Sequence, residues 1–347
     1  MNLNEDYSKL DPSGVEKALE KFPEQILKTF NQAINSNIPE LKFDAVLISG
    51  MGGSSNAAKI LESVYESDFK VPYDIDIHND YDLPIWCDNK TLVIANSYSG
   101  NAEETLSGLI EARKRGCVTL AVTTGGKLAD MIRGGEVFGV VVDPESTNPT
   151  GYPKTGLGVS LGALFGAMVK VGLLKITSEE LSKHLEELFE VRKKWNVKEM
   201  AQELHGSIPV LFGGRPFIGA LNAGRNAMCE ISRNFTEFYD FPEVNHVLVE
   251  AVGKPSSAIS KKYLFFESNF NHERVKLRYQ ITKDIFTEQK LSTMHYVLST
   301  SSVLAQSLEL AHYCAWLGFY ISILDNSDPG PEPWILKLKS ALSQQVH

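Results

Sequence analysis

Short apolar runs alternate along this chain with longer segments in which apolar residues recur every three or four positions. The first pattern is typical of strands buried in a parallel sheet, and the second is typical of amphipathic helices. The apolar runs predict strands at 44–49, 73–78, 92–95, 117–123, 137–142, 208–212, 262–267 and 295–300. The helical pattern predicts helices at 14–34, 56–64, 128–132, 157–174, 178–205, 217–234, 271–286, 303–324 and 334–342, with a further acidic helix after 101.

Strands that alternate with helices in this way predict an α/β protein built on doubly wound parallel sheets. A strand, a glycine-rich turn and a helix follow one another at 44–65 and again at 208–234. This repeated layout and the length of 347 residues predict two related α/β domains. We expect an N-terminal domain over 1–175 with a leading helix, a connecting helix over 176–206, and a C-terminal domain over 207–347 that ends in a helix.

Composition narrows the class of protein. Hydrophobic residues make up 43% of the chain, enough for sizeable cores, and the formal net charge of −9 argues against a nucleic-acid-binding surface. The polar, acidic N-terminus does not resemble a signal peptide, and no apolar run approaches the roughly 20 residues of a membrane span. The cysteines are far apart and form no metal-binding pair, so we expect free thiols in a reducing cytoplasm. They are Cys87, Cys117, Cys229 and Cys314.

The loop at 96–101 follows the predicted strand at 92–95 and precedes the acidic helix. It places the hydroxyls of Ser97 and Ser99 beside the first free N–H groups of a helix, where the helix dipole favours an anion. Serine hydroxyls donate to phosphate oxygens without adding charge. The loop therefore predicts the phosphate cradle of a sugar-phosphate site. An ordinary helix N-cap formed by Ser99 or Asn101 is the alternative.

A second glycine-rich turn, at 50–55, follows the predicted strand at 44–49. Glycine lets the backbone approach a ligand closely or adopt a positive φ. The turn lacks the lysine of a P-loop and the spacing of a dinucleotide fingerprint. Because doubly wound sheets bind ligands at the carboxyl ends of their strands, we expect Gly53 and Ser54 to converge with the loop at 96–101 on one ligand.

Glu230 stands in an otherwise small and apolar helical segment, Ala-Met-Cys-Glu-Ile. Apolar surroundings raise the pKa of a carboxyl group toward neutrality, which suits a general base. The alternative is a glutamate on an exposed helix face, or one that pairs with Arg233 three residues later.

Three further residues have the chemistry to move protons or to stabilise an anion. Lys154 precedes the long apolar helix at 157–174, where its charge can reach a bound anion; a solvated lysine is the alternative. His246 follows an aromatic patch and titrates near neutrality, although most single histidines do no chemistry. Lys339 falls in the last amphipathic segment and on its own is a surface lysine. Other histidines lack partners at metal-ligand spacing and are assigned to packing or to the surface: His272, His295 and His312.

Four features together resemble the bifunctional phosphoglucose/phosphomannose isomerase family, whose members have paired sugar isomerase (SIS) domains. They are the turn GMGGSS at 50–55, the loop NSYSGNAEET at 96–105, the pair Glu230 and His246, and the segment DPGPEPWILKLKSAL at 328–342. The resemblance extends from about residue 44 to residue 342. It implies that each of the two domains is a three-layer αβα sandwich.

The resemblance also implies roles for individual residues. Phosphate binding is assigned to Gly53, Ser54, Ser97 and Ser99. The catalytic group consists of Glu230 as the base, His246 and Lys339 for ring opening, and Lys154 where the family has an arginine. Two threonines of the family are replaced here by Ala102 and Gly330. The loss of these hydroxyls predicts a weaker phosphate grip or a shifted substrate preference.

The implied reaction interconverts glucose 6-phosphate, mannose 6-phosphate or both with fructose 6-phosphate through a cis-enediolate. It needs no metal and no organic cofactor, because the opened carbonyl already acidifies C2. In the family the histidine comes from the neighbouring subunit, so we expect a homodimer with shared active sites. Another SIS phosphosugar isomerase and a non-catalytic sugar-phosphate-binding protein are the alternatives.

Overall fold

A computed structural model describes residue 3 and residues 5–69, 73–254 and 261–343 of the chain. It is an α/β structure with two sheets in which the strands run parallel. The first sheet has the order β2-β1-β3-β4-β5, with β1 at Ala45–Ser49, β2 at Ile75–His78, β3 at Thr91–Ser97, β4 at Val118–Thr123 and β5 at Phe138–Val141. The second has the order β7-β6-β8-β9, with β6 at Ile208–Gly214, β7 at Glu237–Phe241, β8 at Lys261–Glu267 and β9 at Thr293–Val297.

In both sheets the strand order reverses beside the first strand. β1 lies between β2 and β3, and β6 lies between β7 and β8. Ligands of such sheets bind outside the carboxyl ends of the strands at this reversal. Ser49, at the end of β1, is paired in register with Ala95 of β3. The turn after β1 and the loop after β3 are therefore neighbours, as the sequence predicts.

Helices surround both sheets. In the described ranges they are α1 (Val15–Glu20), α2 (Phe22–Ile34), α3 (Gly52–Val64), α4 (Glu103–Lys114), α5 (Gly126–Arg133), α6 (Leu157–Lys170), α7 (Ser178–Arg192), α8 (Val197–Leu204), α9 (Ile218–Ala227), α10 (Val244–Val247), α11 (Glu273–Glu288), α12 (Val303–Leu324) and α13 (Pro333–Ser343). α9 continues directly into a π-helical turn, Met228–Ser232. None of the helices in these ranges is both long enough and apolar enough to cross a lipid bilayer.

Two of the predicted helices are each two helices in the structure. The segment predicted at 14–34 breaks at Lys21, because Pro23 occupies the first turn of α2 and has no N–H group with which to continue an earlier helix. The segment predicted at 178–205 divides into α7 and α8. The helical spacing predicts that Phe189 shares one face of α7 with Leu181, Leu185 and Leu188. In the structure these leucines are buried, but Phe189 is 45% exposed and does not share their face.

Other differences change the description of the site. α3 begins at Gly52 rather than at 56, so Gly53 and Ser54 lie in its first turn instead of in a loop. β3 extends to Ser97, which leaves a shorter loop before α4. The sequence pattern does not predict β7. Its sequence, EFYDF, mixes charged and aromatic residues because the strand lies at the edge of its sheet.

One hydrophobic cluster joins the two halves of the molecule. In it α3, from the first half, packs against α9, from the second. A Cβ atom added to Gly219 would lie 2.0 Å from the carbonyl oxygen of Lys59, so the two helix backbones touch. α12 packs alongside, and all 22 of its residues are buried. This packing holds the end of α9, with Glu230, near the helix that starts after β1.

Candidate active site

The two serine-bearing segments are joined directly to each other. The Asn96 side-chain amide donates to the carbonyl oxygen of Ser54 (2.9 Å), and the N–H of Tyr98 donates to the Ser54 hydroxyl oxygen (2.9 Å). A Cβ atom at Gly50 would lie 2.7 Å from the Asn96 carbonyl oxygen, so only glycine allows this approach. The predicted convergence of the two segments is therefore present in the fold.

Each segment leads into a helix whose N-cap side chain accepts no hydrogen bond from the first N–H groups of that helix. The N-cap positions of α3 and α4 are occupied by Met51 and Ala102, and neither makes a side-chain hydrogen bond to the helix. The alternative in which Ser99 or Asn101 caps α4 is therefore wrong. Asn101 instead accepts the N–H of Lys127 (3.1 Å). The first N–H groups of α3 and α4 remain suited to an anionic ligand.

The serines differ in exposure. Ser54 and Ser97 are 5% and 3% exposed, whereas Ser99 is exposed. The hydroxyl oxygen of Ser97 accepts the N–H of Gly100 (3.2 Å), and that of Ser99 accepts the N–H of Asn101 (3.3 Å). A serine whose oxygen accepts a bond still has its own proton to donate. The three hydroxyls thus shape the loop and remain chemically able to bind phosphate oxygens.

The loop that carries Lys154 lies over these segments. A Cβ atom at Gly53 would lie 3.7 Å from the carbonyl oxygen of Pro153. The Tyr98 ring lies against Gly156, where an added Cβ would be 2.4 Å from a ring carbon, and the Tyr98 hydroxyl accepts from Asn148 (2.8 Å). The lysine loop is therefore fixed to both parts of the predicted phosphate cradle.

Lys154 is enclosed, with a side chain that is 0% exposed. Its Nζ donates to the main-chain carbonyl oxygen of Glu230 (3.2 Å) and lies 3.6 Å from Oε1 of Glu332. Burial lowers the pKa of Lys154, and the carboxylate of Glu332 is the strongest influence acting in the opposite direction. The alternative of a solvated lysine is wrong.

Glu230 lies on the π-helical turn after α9. Burial raises the pKa of its carboxyl group to about 7; the neighbouring Glu332 adds to this effect, and the cations Lys154, Lys339 and Arg225 oppose it. A group that titrates there can act as a base near neutral pH.

The alternative partner of Glu230, Arg233, is engaged elsewhere. Its guanidinium group donates to the Ser327 hydroxyl (2.5 Å) and to the carbonyl oxygens of Asp328 (2.5 Å) and Pro331 (3.0 Å). These bonds tie the end of the turn that carries Glu230 to the loop before α13.

Sequence reasoning missed Glu332. It lies between Pro331 and Pro333, seven residues before Lys339, in a segment that the sequence had already indicated. A single carboxylate in a polar loop gives no periodic signal. Its proximity to Lys154 depends on a contact between residues 178 positions apart, which only the fold reveals.

The structure leaves no room for a larger residue at Gly330. A Cβ atom there would lie 2.3 Å from the hydroxyl oxygen of Ser13. The absence of the family's threonine therefore does not leave a gap at this position, because the α1 side of the molecule fills the space. Ala102 is likewise accommodated as the N-cap residue of α4.

Lys339 and His246 are placed very differently. Lys339 lies on α13 with an exposed side chain, and its charge acts on Glu230. His246 is exposed on α10, just after the carboxyl end of β7, whereas Glu230 precedes the amino end of the same strand. Five residues of strand span roughly 13 Å. Within one chain Lys154 bonds to Glu230 and the charge of Lys339 acts on it, whereas no hydrogen bond or ion pair among the described residues joins the His246 side chain to these three.

Comparisons with known proteins agree with the family resemblance of the sequence across most of the chain. Residues 193–342 match the family described as the bacterial phospho-glucose isomerase C-terminal SIS domain. The chain is 29% identical over 338 residues to a bifunctional phosphoglucose/phosphomannose isomerase of Caldicellulosiruptor bescii, covering 93% of this chain and 97% of the relative. It is 31% identical over 312 residues to one of Aquifex aeolicus, covering 88% and 92%.

The fold of the chain also resembles that of a solved isomerase structure. Tagatose-6-phosphate ketose/aldose isomerase from Escherichia coli superposes with a TM-score of 0.67, covering 92% of this chain and 97% of that one. The sequences are only 13% identical, so this likeness shows the fold alone. Both halves of the molecule thus have the SIS architecture.

Proposed function

The chain belongs to the bifunctional phosphoglucose/phosphomannose isomerase family, and from this premise we propose that it is an aldose–ketose isomerase of hexose 6-phosphates. The reaction interconverts glucose 6-phosphate, mannose 6-phosphate or both with fructose 6-phosphate. The observation that carries the proposal is the position of Glu230. Its main-chain carbonyl oxygen accepts a hydrogen bond from the enclosed Lys154, whose loop covers Gly53, and its carboxyl group, with a pKa of about 7, is under the influence of that lysine's charge.

The substrate phosphate lies at the N-termini of α3 and α4. Gly53 allows the close approach, and Ser54, Ser97 and Ser99 donate hydroxyl hydrogen bonds. Two helix dipoles directed at one anion add to these bonds without adding a formal charge. This binding orients the open-chain sugar with C1 and C2 toward Glu230, and the binding energy of the phosphate thereby serves the reacting carbons.

Glu230 removes the proton from C2, and the electron pair moves to the carbonyl oxygen at C1 to form the cis-enediolate. Returning the same proton to C1, while the proton of the C2 hydroxyl passes to the oxygen at C1, gives the ketose, so no atom is gained or lost. The ammonium group of Lys154 stabilises the negative charge that develops on the enediolate oxygens. A base with a pKa near 7 suits both halves of this cycle, because it must first accept the proton and then release it.

Ring opening moves a proton from the sugar's O1 to its ring oxygen, and we assign it to Lys339 and His246. The exposure of His246 and its separation from Glu230 along β7 support a homodimer in which each site takes this histidine from the partner. Several apolar side chains of α13 are also exposed, including Trp334 (74%) and Leu336 (63%), as expected for a helix near a subunit contact. The four cysteines are free, which fits the cytoplasmic location that we propose.

The test is formation of fructose 6-phosphate from each aldose by the purified chain, measured with a coupled assay. We expect turnover of at least one aldose, and a loss of kcat by a factor of about 10²–10⁴ in the Glu230→Gln variant, the usual contribution of a general base. Glu288→Gln, at an exposed glutamate of α11, is the matched control and keeps full activity. Full activity of Glu230→Gln would refute the role of this residue, and turnover of an amino sugar phosphate alone would reassign the substrate.

A further inference from the structure

Glu332 lies at the junction of the segments that form the site. Its carboxylate is 3.6 Å from Nζ of Lys154, with a side chain that is only 14% exposed. It immediately precedes α13, and its carbonyl oxygen accepts a hydrogen bond from the N–H of Leu336 in the first turn of that helix (3.0 Å). Arg233 holds the preceding loop through the carbonyl oxygens of Asp328 and Pro331. The position of this carboxylate is therefore fixed from both sides along the chain.

The direction in which Lys154 points depends on this carboxylate. Nζ of Lys154 bonds to the main-chain carbonyl oxygen of Glu230 and pairs with the carboxylate of Glu332. Among the described residues, no ion pair joins Lys154 to the carboxylate of Glu230. A base that is locked in an ion pair with a buried ammonium group stays deprotonated and is a poor acceptor. Because Glu332 takes this place, the carboxylate of Glu230 remains available.

We propose that Glu332 is a positioning residue of this site, which holds the ammonium group of Lys154 against the main chain of Glu230 and sets the charge that both side chains carry. This inference rests on the proposed function, because it assigns Glu332 a part in the same proton transfer. It goes beyond that function in naming a residue that need not touch the substrate.

Charged groups face this pair from several elements. Lys154 is surrounded by the charges of Glu332, Arg233 and Glu230. The charges that act on Glu230 are those of Glu332, Lys154, Lys339 and Arg225. Glu332 is first among the charges on both residues: its carboxylate raises the pKa of Lys154 against the effect of burial, and it adds to burial in raising the pKa of Glu230. Removing this one charge therefore lowers both pKa values.

The test is the pH profile of kcat/KM for Glu332→Gln, which keeps the shape of the side chain and removes its charge. With the charge gone, Glu230 loses its proton at lower pH and Lys154 loses its own proton at lower pH. We expect both limbs of the profile to move to lower pH by roughly one unit, the size of effect that a neighbouring charge has. Glu332→Asp retains the charge, so we expect it to restore the positions of both limbs even where its kcat is reduced.

Asp325→Asn is the matched control, since it removes a carboxylate seven residues earlier that pairs with His205 at the surface. Its profile is expected to coincide with that of the wild type. Unmoved limbs in Glu332→Gln, or limbs displaced equally in Glu332→Asp, would overturn the inference. Where Glu332→Gln does not fold, Glu332→Ala, which removes the same charge, takes its place. Inactivity of Glu230→Gln separates the two ideas, because it supports the proposed function whether or not the limbs move.

Discussion

Glu230 and Lys154 show how burial produces reactivity at the scale of single residues. Each is enclosed by neighbours that disfavour its charged form, and each is partly compensated by charges from distant parts of the chain. The apolar neighbours of Glu230 along the chain were enough to single it out. The compensating carboxylate of Glu332 could not be found in this way, because it approaches through the fold rather than along a helix face.

The raised pKa of Glu230 links this residue to stability. Its carboxyl group titrates at about 7 in the folded chain and near 4.5 in an unfolded one, so the folded state binds more protons between these values. The contribution of this residue to stability therefore falls as the pH rises from 4.5 to 7. We expect Glu230→Gln to raise the free energy of unfolding above pH 7, by at most roughly 3 kcal/mol at 1.36 kcal/mol per pKa unit.

Thermal denaturation of Glu230→Gln and the wild type across this pH range checks the prediction. The stabilisation should shrink as the pH falls below 7 and disappear near pH 4.5, where both states of the wild-type residue are protonated. The variant Glu288→Gln, exposed on α11, should show no such trend. A gain in stability that is independent of pH would contradict the assigned pKa.

At the scale of elements, the site depends on where helices and strands end. The turn after β1 becomes the first turn of α3, β3 ends at Ser97, and α9 ends in the turn that carries Glu230. Strand and helix types follow from the apolar pattern, but these boundaries do not. The start of α3 at Gly52 was missed because glycine and serine are typical of loops. The edge strand β7 was missed because only Phe241 of its residues is buried.

The close approach of the two segments at Gly50 can be tested by Gly50→Ala. The added Cβ would lie 2.7 Å from the Asn96 carbonyl oxygen, so the ends of β1 and β3 must separate. Overpacking of this kind costs about 1–3 kcal/mol. Since the strain falls on the phosphate cradle and not on Glu230, we expect KM for the hexose phosphate to rise about tenfold, with a smaller change in kcat.

Gly125→Ala provides the control for this experiment. Its backbone is extended, and an added Cβ meets no atom within 4 Å. Steady-state kinetics of the two variants should therefore differ in KM. Equal KM values in both variants and the wild type would show that the phosphate does not depend on this contact.

At the scale of the whole molecule, the proposed site extends beyond one chain. The fold supplies Lys154, Lys339 and Glu230 from one chain, and the exposed His246 lies beyond the carboxyl end of β7. The sequence alone could place these residues on elements. It could not show that β7 separates two of them, because β7 itself was not predicted.

Mixing two inactive variants tests this sharing. In a mixed dimer the Glu230→Gln and His246→Ala lesions fall in the same shared site, so the other site is intact. Random exchange of subunits should restore about one quarter of the wild-type activity, as the symmetry of a shared-site dimer requires. Mixing Glu230→Gln with Lys339→Met is the control. Both residues belong to the same protomer's site, so no activity should return. Mixed dimers of the first pair that form and stay inactive would rule out the shared site.

The contact between Gly219 and Lys59 limits how far the two halves of the molecule can move relative to each other when substrate binds. Two helix backbones that touch directly leave no layer of side chains that could slide or repack. The end of α9 and the start of α3 therefore keep one separation before a sugar binds, and the entropy lost in bringing these two helices together is lost once, during folding. Adjustment to an incoming ligand falls to the exposed α13 and to side chains, and not to a hinge between the two sheets.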